Sequence, residues 1–289
     1  MGLVEVTFFG ARGSCPCSGD CYNEFGGSTS CVLVNTGADE PLILDAGTWL
    51  RSLGATLAPR LQESGRPVHA HILLTHLHYD HLLGLPFFGP LEDPGAIVEI
   101  YGPRQGSVPL AELVASAVTP PFFPVQMKEF RGEVKLNEVG DDDFMLDDVK
   151  VTARYIPHTD LTLGFRVEHG GLSLAYLPDH QAPLDRMGIA ESVLELCDGV
   201  DLLLHDAQYD EEEFAAKSDW GHSTVAYAVH VAAAAGARRL GLFHHDPSHD
   251  DARLRDLEES ARRLPAASSL EEIFAARESM SLTISRATT

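Results

Sequence analysis

Between Thr75 and His81 the chain reads Thr-His-Leu-His-Tyr-Asp-His, directly behind the apolar run Ile72-Leu73-Leu74. Packing such a cluster into an ordinary core is costly, because buried imidazoles need partners and a lone carboxylate resists desolvation. A metal site accounts for it better. Neutral imidazole and carboxylate are preferred ligands of zinc and similar divalent ions. Alternate residues of an extended segment point the same way, so His76 and His78 can serve one ion while Asp80 and His81 turn toward a second. A polar loop with chance histidines accounts for any single member more readily than for the group.

The rest of the chain supplies strands and helices in alternation. Leu3 to Phe9, Cys31 to Asn35, Leu42 to Leu44 and Val68 to Leu74 read as strands, with a helix from Leu50 to Leu61. Ile97 to Tyr101 reads as a strand and Pro109 to Val118 as a helix. Pro120, Pro121 and Pro124 then break the chain before another strand pair. From Val149 the pattern is antiparallel: Val149 to Ile156, Leu163 to Val167, and a Gly170-Gly171 turn into Leu172 to Leu177. A helix around Ala190 to Cys197 precedes the buried run Leu202 to Leu204. An amphipathic helix follows from about Ser223 to Ala235, capped by Gly236, and leads to a strand at Leu240 to Phe243. A mixed-charge helix over Ala252 to Arg263 and a last strand at Leu282 to Ile284 complete the pattern. With no linker and no fixed-period repeat, residues 1–289 are expected to form one layered α/β domain of two sheets flanked by helices.

Further ligand-type residues fall where strands end, the usual place for ligand sites in layered α/β folds. They are His158 after Ile156-Pro157, Asp179 after Leu177-Pro178, and His244-His245-Asp246 after Phe243. His76, His78 and His158 could hold a first ion, and Asp80, His81 and His244 a second, with Asp179 between them. Two ions ~3.5–4 Å apart lower the pKa of a shared water and clamp an in-line displacement at phosphorus. Alternation lets only one of His244 and His245 face the site. His180, His205 and His249 are expected to be hydrogen-bonded structural residues. Asp45 reads equally as a turn former before Gly47 and as a partner that fixes a ligand histidine.

Thr75 to His81 resembles the T-H-x-H-x-D-H motif of metallo-β-lactamase-fold hydrolases, and His158, Asp179 and His244 follow in that family's order. The resemblance runs from Phe8-Phe9-Gly10-Ala11-Arg12-Gly13-Ser14 to the C-terminal strand. It implies an αββα four-layer sandwich with the metals at the edge between two mixed sheets, and favours His244 over His245 as the ligand. It departs from the diiron flavoprotein branch, which has a glutamate where this chain has His78, and from β-lactamases with a cysteine ligand, which Asp179 does not match. Within the family the chain is similar to the branch that holds ribonuclease Z and cyclic-nucleotide phosphodiesterases. The similarity lies at His205-Asp206-Ala207-Gln208, where Asp206 replaces a glutamate, and at Gly221-His222-Ser223-Thr224. By that resemblance Asp206 orients His222, and His222 protonates or stabilises the leaving oxygen. A surface residue at a helix N-terminus is the alternative for His222.

These readings predict a dinuclear hydrolase, first of all a phosphodiesterase cleaving a small phosphodiester such as a cyclic nucleotide by attack of a metal-bridging hydroxide, with Asp80 also positioning that nucleophile. Zinc is expected ahead of manganese or iron because imidazoles dominate the ligand set. Arg12 could contact an anionic substrate, or equally form a salt bridge at its turn. The formal charge of −22 works against long nucleic acid and leaves a small anionic substrate as the expected partner. The absence of a long basic arm argues the same way against transfer-RNA 3′ processing. Ester, lactone or thioester hydrolysis is a further alternative, and a non-catalytic metal-binding protein is disfavoured because no expected ligand is missing. Cys15, Cys17 and Cys21 lie in a loop beside the expected site, open to a thiolate site, a redox pair or no role. Five cysteines in all, unevenly spread, do not make a disulfide framework. No apolar run is long enough for a membrane span, and no secretory signal is apparent, so a cytoplasmic location is expected. The resemblance also allows a homodimer.

Overall fold

The computed structural model describes residues 4–285. Within them, fourteen strands build two seven-stranded mixed sheets, each half antiparallel and half parallel. The first sheet contains β1 (Val4–Gly10), β2 (Cys31–Asn35), β3 (Leu42–Leu44), β4 (His69–Leu73), β5 (Ile97–Gly102) and β6 (Glu133–Glu138), with the late strand β14 (Ser281–Ile284) on the outer side of β1. The second runs in sequence order from β7 (Asp143–Leu146) through β8 (Val149–Ile156), β9 (Thr162–His169), β10 (Leu172–Leu177), β11 (Leu202–Asp206) and β12 (Arg239–Phe243) to β13 (Glu272–Ala275). Pairing from β3 to β6 and from β10 to β13 is parallel, and the remainder is antiparallel.

Burial patterns account for the layering. β1 alternates buried and half-buried residues, turning Val4, Val6 and Phe8 toward the other sheet. There they meet Phe165, Tyr176, Phe243 and Phe274 in the core between the sheets. β10 is buried at every position because both of its faces are covered. Outside the first sheet pack α1 (Leu50–Ser64) and, beyond the short α2 (Tyr79–Leu82), α3 (Leu110–Ala117). Outside the second pack α4 (Glu191–Cys197), α5 (Glu211–Lys217), α6 (Val225–Ala234) and α7 (Asp251–Arg263). The result is the expected αββα sandwich.

One expectation needs amending. The strand pair anticipated after Pro124 is not a pair: β6 closes one edge of the first sheet and β7 opens the second, so this segment is the crossover between the halves. Of the strand expected over Leu3 to Phe9, Val4–Gly10 is observed, and Leu3 lies outside the described residues. The backbone beyond β1 also ties the sheets together. Arg12 N–H donates to Ser28 O at 3.0 Å on one side, while Gly13 N–H donates to His245 O at 2.9 Å on the other. This stitch lies beside the ends of β4 and β12, where the histidines gather.

Candidate metal centre

The ends of β4, β8, β10 and β12 deliver the seven sequence-predicted ligands to one place. His76, His78, His158 and Asp179 form one group, with ligand atoms within 4.8 Å of one another, and Asp80, His81 and His244 form another. Asp179 stands between them. Its Oδ1 lies 3.8 Å from Nε2 of both His76 and His158. Its Oδ2 lies 3.0 Å from His81 Nε2 and 3.2 Å from His244 Nε2. Asp80 Oδ2 is 3.2 Å from each of those same nitrogens.

The converging atoms suit cations. His76 Nε2, His158 Nε2 and Asp179 Oδ2 are buried without a hydrogen-bond partner, a costly condition unless an ion satisfies them. Burial, with the nearby charge of His81, lowers the His76 pKa, and burial lowers that of His158, so both rings are held in the neutral, ligating form. Burial alone would raise the pKa of Asp80 and Asp179, but the surrounding histidines outweigh it and keep both well below the usual carboxylate range. The donor set therefore fits two divalent ions, one on each side of Asp179.

Four of the five candidate ligand rings are oriented from behind. His76 Nδ1 meets Thr75 Oγ1 at 3.0 Å, and His158 Nδ1–H donates to Gly221 O at 2.7 Å. His81 Nδ1–H donates to Asp45 Oδ2 at 2.7 Å, and His244 Nδ1–H to Gln208 Oε1 at 2.8 Å. Such partners fix the tautomer and leave the opposite nitrogen for metal. Asp45 also accepts from Thr75 N–H at 2.8 Å and, from the other sheet, Tyr176 O–H at 2.9 Å. Asp45 is thus a partner of the candidate ligand His81 and not merely a turn former. Sequence reasoning does not assign Gln208 this contact with His244, because a neutral amide carries no ligand signal.

His222 and Asp206 lie beside this cluster. His222 Nδ1–H donates to Asp206 Oδ2 at 2.8 Å, and the His222 ring stacks on His244 at 4.9 Å. Burial opposes charge on His222, yet the charge and hydrogen bond of Asp206 outweigh it and raise its pKa above the ordinary imidazole value. Asp206 is itself held by the N–H groups of Gln208 at 3.1 Å and Ser223 at 3.2 Å. At 7 % exposure His222 is no surface residue.

The remaining candidates divide. His245 turns away and donates Nε2–H to Ala276 O at 2.9 Å; burial, then Arg12, push its pKa down to about 3. His180 bonds His205 at 2.9 Å, and His249 bonds Glu213 at 2.6 Å, as structural residues do. Arg12 corrects the reading that gave it a substrate. Its guanidinium is buried and donates to the carbonyls of Gly26, Asp246 and His249 at 2.8, 3.2 and 2.6 Å, so it braces the loops behind the site. The ligand clusters among the described residues contain no cysteine, and Cys15, Cys17 and Cys21 are free thiols.

The model of the beta-lactamase superfamily domain matches residues 31–245, and the chain belongs to that family, with the metallo-β-lactamase fold. The chain is similar to the ribonuclease Z of Haloarcula marismortui, 26% identical over 284 residues that cover 83% of this chain and 86% of the relative. Among solved structures it resembles the metallo-β-lactamase fold protein YhfI from Bacillus subtilis, at a TM-score of 0.69 and 17% identity, covering 97% of this chain and 99% of that one. It also resembles a diphosphatase of the PhnP family, at a TM-score of 0.64 and 21% identity, covering 97% of each. Among the described residues no helix is long and apolar enough to cross a membrane.

Proposed function

We propose that the chain is a metal-dependent hydrolase that cleaves phosphodiesters, with a small phosphodiester such as a cyclic nucleotide as the preferred substrate. His76, His78 and His158 would hold one divalent ion and Asp80, His81 and His244 the other, with Asp179 shared. Ions bound there supply Lewis-acid activation of water and charge neutralisation at phosphorus. The observation that carries the reading is the buried Asp206–His222 pair. Its geometry fixes an imidazole with Nδ1–H on Asp206 and Nε2 turned to the site, from which a proton can be delivered to an alkoxide leaving group. Asp206 keeps Nδ1 protonated and the ring oriented. A thioester, whose thiolate leaves without protonation, has less need of such an acid.

The test is an assay of zinc-loaded protein against bis(p-nitrophenyl) phosphate, a cyclic-nucleotide panel, lactones and thioesters. Turnover of phosphodiesters is expected. Activity confined to lactones or thioesters would sink the proposal. The second reading, transfer-RNA 3′ processing, is supported by the relative named ribonuclease Z. A precursor transfer RNA in the same panel separates it, since the small-substrate reading expects the cyclic nucleotides to be turned over with the higher kcat/KM.

A further inference from the structure

The carboxylate that orients His222 is itself held in place, and three separate fastenings of Asp206 lead to one residue, His180. The His180 N–H donates to Asp206 Oδ2 at 3.3 Å, the oxygen that also accepts from His222. The His180 carbonyl accepts the Ser223 hydroxyl, and the Ser223 N–H donates to Asp206 Oδ1 at 3.2 Å. The third route runs through side chains. His180 Nδ1 lies 2.9 Å from His205 Nε2, and His205 Nδ1 lies 2.7 Å from the main-chain oxygen of Asp206.

The hydrogen positions along that route follow from the partners. A carbonyl oxygen only accepts, so His205 carries its hydrogen on Nδ1 and gives it to Asp206 O. Burial lowers the pKa of His205, and burial, then the proximity of His205, lowers that of His180, so both rings are neutral. A neutral His205 with Nδ1–H has its lone pair on Nε2, and His180 donates Nδ1–H to it. Each contact thus holds one hydrogen. His180, His205, Asp206 and Ser223 are all buried, so a broken bond among them leaves an unsatisfied group where water does not replace the partner. The chain places His180 for this task. It directly follows Asp179, the carboxylate between the two ligand groups, beyond the end of β10, and β10 pairs in parallel with β11, which ends at Asp206. Asp179 faces the metal cluster, while the His180 ring faces His205 and, at 5.7 Å, Tyr227 of α6.

We propose that His180 is the positioning residue of the leaving-group acid: through Asp206 it fixes the direction in which His222 Nε2 presents its proton. The inference rests on the proposed cleavage of small phosphodiesters. As the bond from phosphorus to the leaving oxygen breaks, that oxygen takes the proton from Nε2, and a ring tilted by a loosened Asp206 loses its line to it. A misplacement of ~1 Å costs on the order of 10²-fold in rate. A His180 that merely supported the fold would affect every substrate alike.

Zinc-loaded wild type, H180L, H180N and H205N would be compared on two substrates that differ in leaving group. A cyclic nucleotide leaves as an alkoxide and needs the proton, whereas bis(p-nitrophenyl) phosphate loses a stable phenolate and does not. H180L removes the Nδ1–H donor. It is expected to lower kcat on the cyclic nucleotide ~10- to 100-fold, with little change on the aryl substrate and with wild-type zinc per chain by plasma mass spectrometry. H180N puts an amide N–H where Nδ1–H was and should recover most of the loss. H205N keeps a donor to Asp206 O and lacks the Nε2 acceptor, so it breaks the same bond from the other side and reports even if H180L fails to fold. Equal losses on both substrates, no loss on either, or no recovery in H180N overturns the positioning role while phosphodiester cleavage stands. A wild type that cleaves no cyclic nucleotide overturns the small-phosphodiester reading itself, and the positioning role with it.

Discussion

At the scale of single residues the centre separates groups that would ligate from groups that orient. His222 spends its Nδ1–H on Asp206 at 2.8 Å, which leaves Nε2 for the proton that the leaving group needs. Its replacement should therefore leave the ions and remove the acid. His222→Ala is expected to lower phosphodiester turnover by ~10²–10⁴-fold, the usual worth of a general acid, with metal content unchanged by mass spectrometry. Intact turnover would remove the leaving-group role even if the reaction class stood. Gln208 predicts the converse. Gln208→Leu takes the acceptor from His244 Nδ1–H, and losing such an orienting partner weakens metal binding ~10- to 100-fold, which competition with a chromophoric chelator would read. That the seven candidate ligands converge was legible in sequence, because imidazoles and carboxylates gathered at strand ends are costly in a core and natural around a cation. The groups behind them were less so. Asp45 looked equally like a turn residue, Gln208 carried no signal, and Arg12 looked like an anion contact until its buried carbonyl partners were visible.

Among the elements, those with strong periodicity or clear punctuation were readable, and those defined by distant pairing were not. β2, β3, β8 and β10 have the bounds their β-branched and apolar runs imply. β13 is four residues long and exists because it pairs in parallel with β12, a partner invisible from Glu-Ile-Phe-Ala alone. α5 buries only Phe214 and so shows no apolar stripe, although Asp210 and Glu213 form a capping box that marks its start. The assignment of β6 and β7 to different sheets is likewise a long-range matter. One turn between elements is itself a test. Gly221 sits at φ 93°, and a Cβ there would lie 2.6 Å from the His158 ring. Gly221→Ala is expected to cost ~1–3 kcal/mol from the backbone conformation alone, read as a lower denaturation midpoint. It should also displace His158 and reduce bound zinc. A variant with unchanged midpoint and full zinc would mean that the loop relaxes without disturbing the site.

Across the whole molecule, the candidate ligands come from both sheets. His76, His78, Asp80 and His81 follow β4 of the first, while His158, Asp179 and His244 follow β8, β10 and β12 of the second. The two halves already share a core and a hydrogen bond from Tyr176 to Asp45, so the fold does not wait for metal. Ions held between the sheets nevertheless bind the native arrangement and not the separated halves. An ion at a thousandfold above its Kd stabilises the native state by about 4 kcal/mol per site by mass action, less whatever the unfolded histidines retain. For a chain of this size ~1 kcal/mol moves Tm by about 2–4 °C, so stripping the ions should lower Tm by roughly 10 °C or more. The measurement is a thermal melt before and after dialysis against a strong chelator, with metal counted on the same samples. Restoring zinc should restore the transition, and the charge of −22 helps by relieving self-repulsion when cations return. An unchanged Tm in protein shown to be free of metal would mean that the sheets hold the seven ligands together unaided, and that the ions serve chemistry alone.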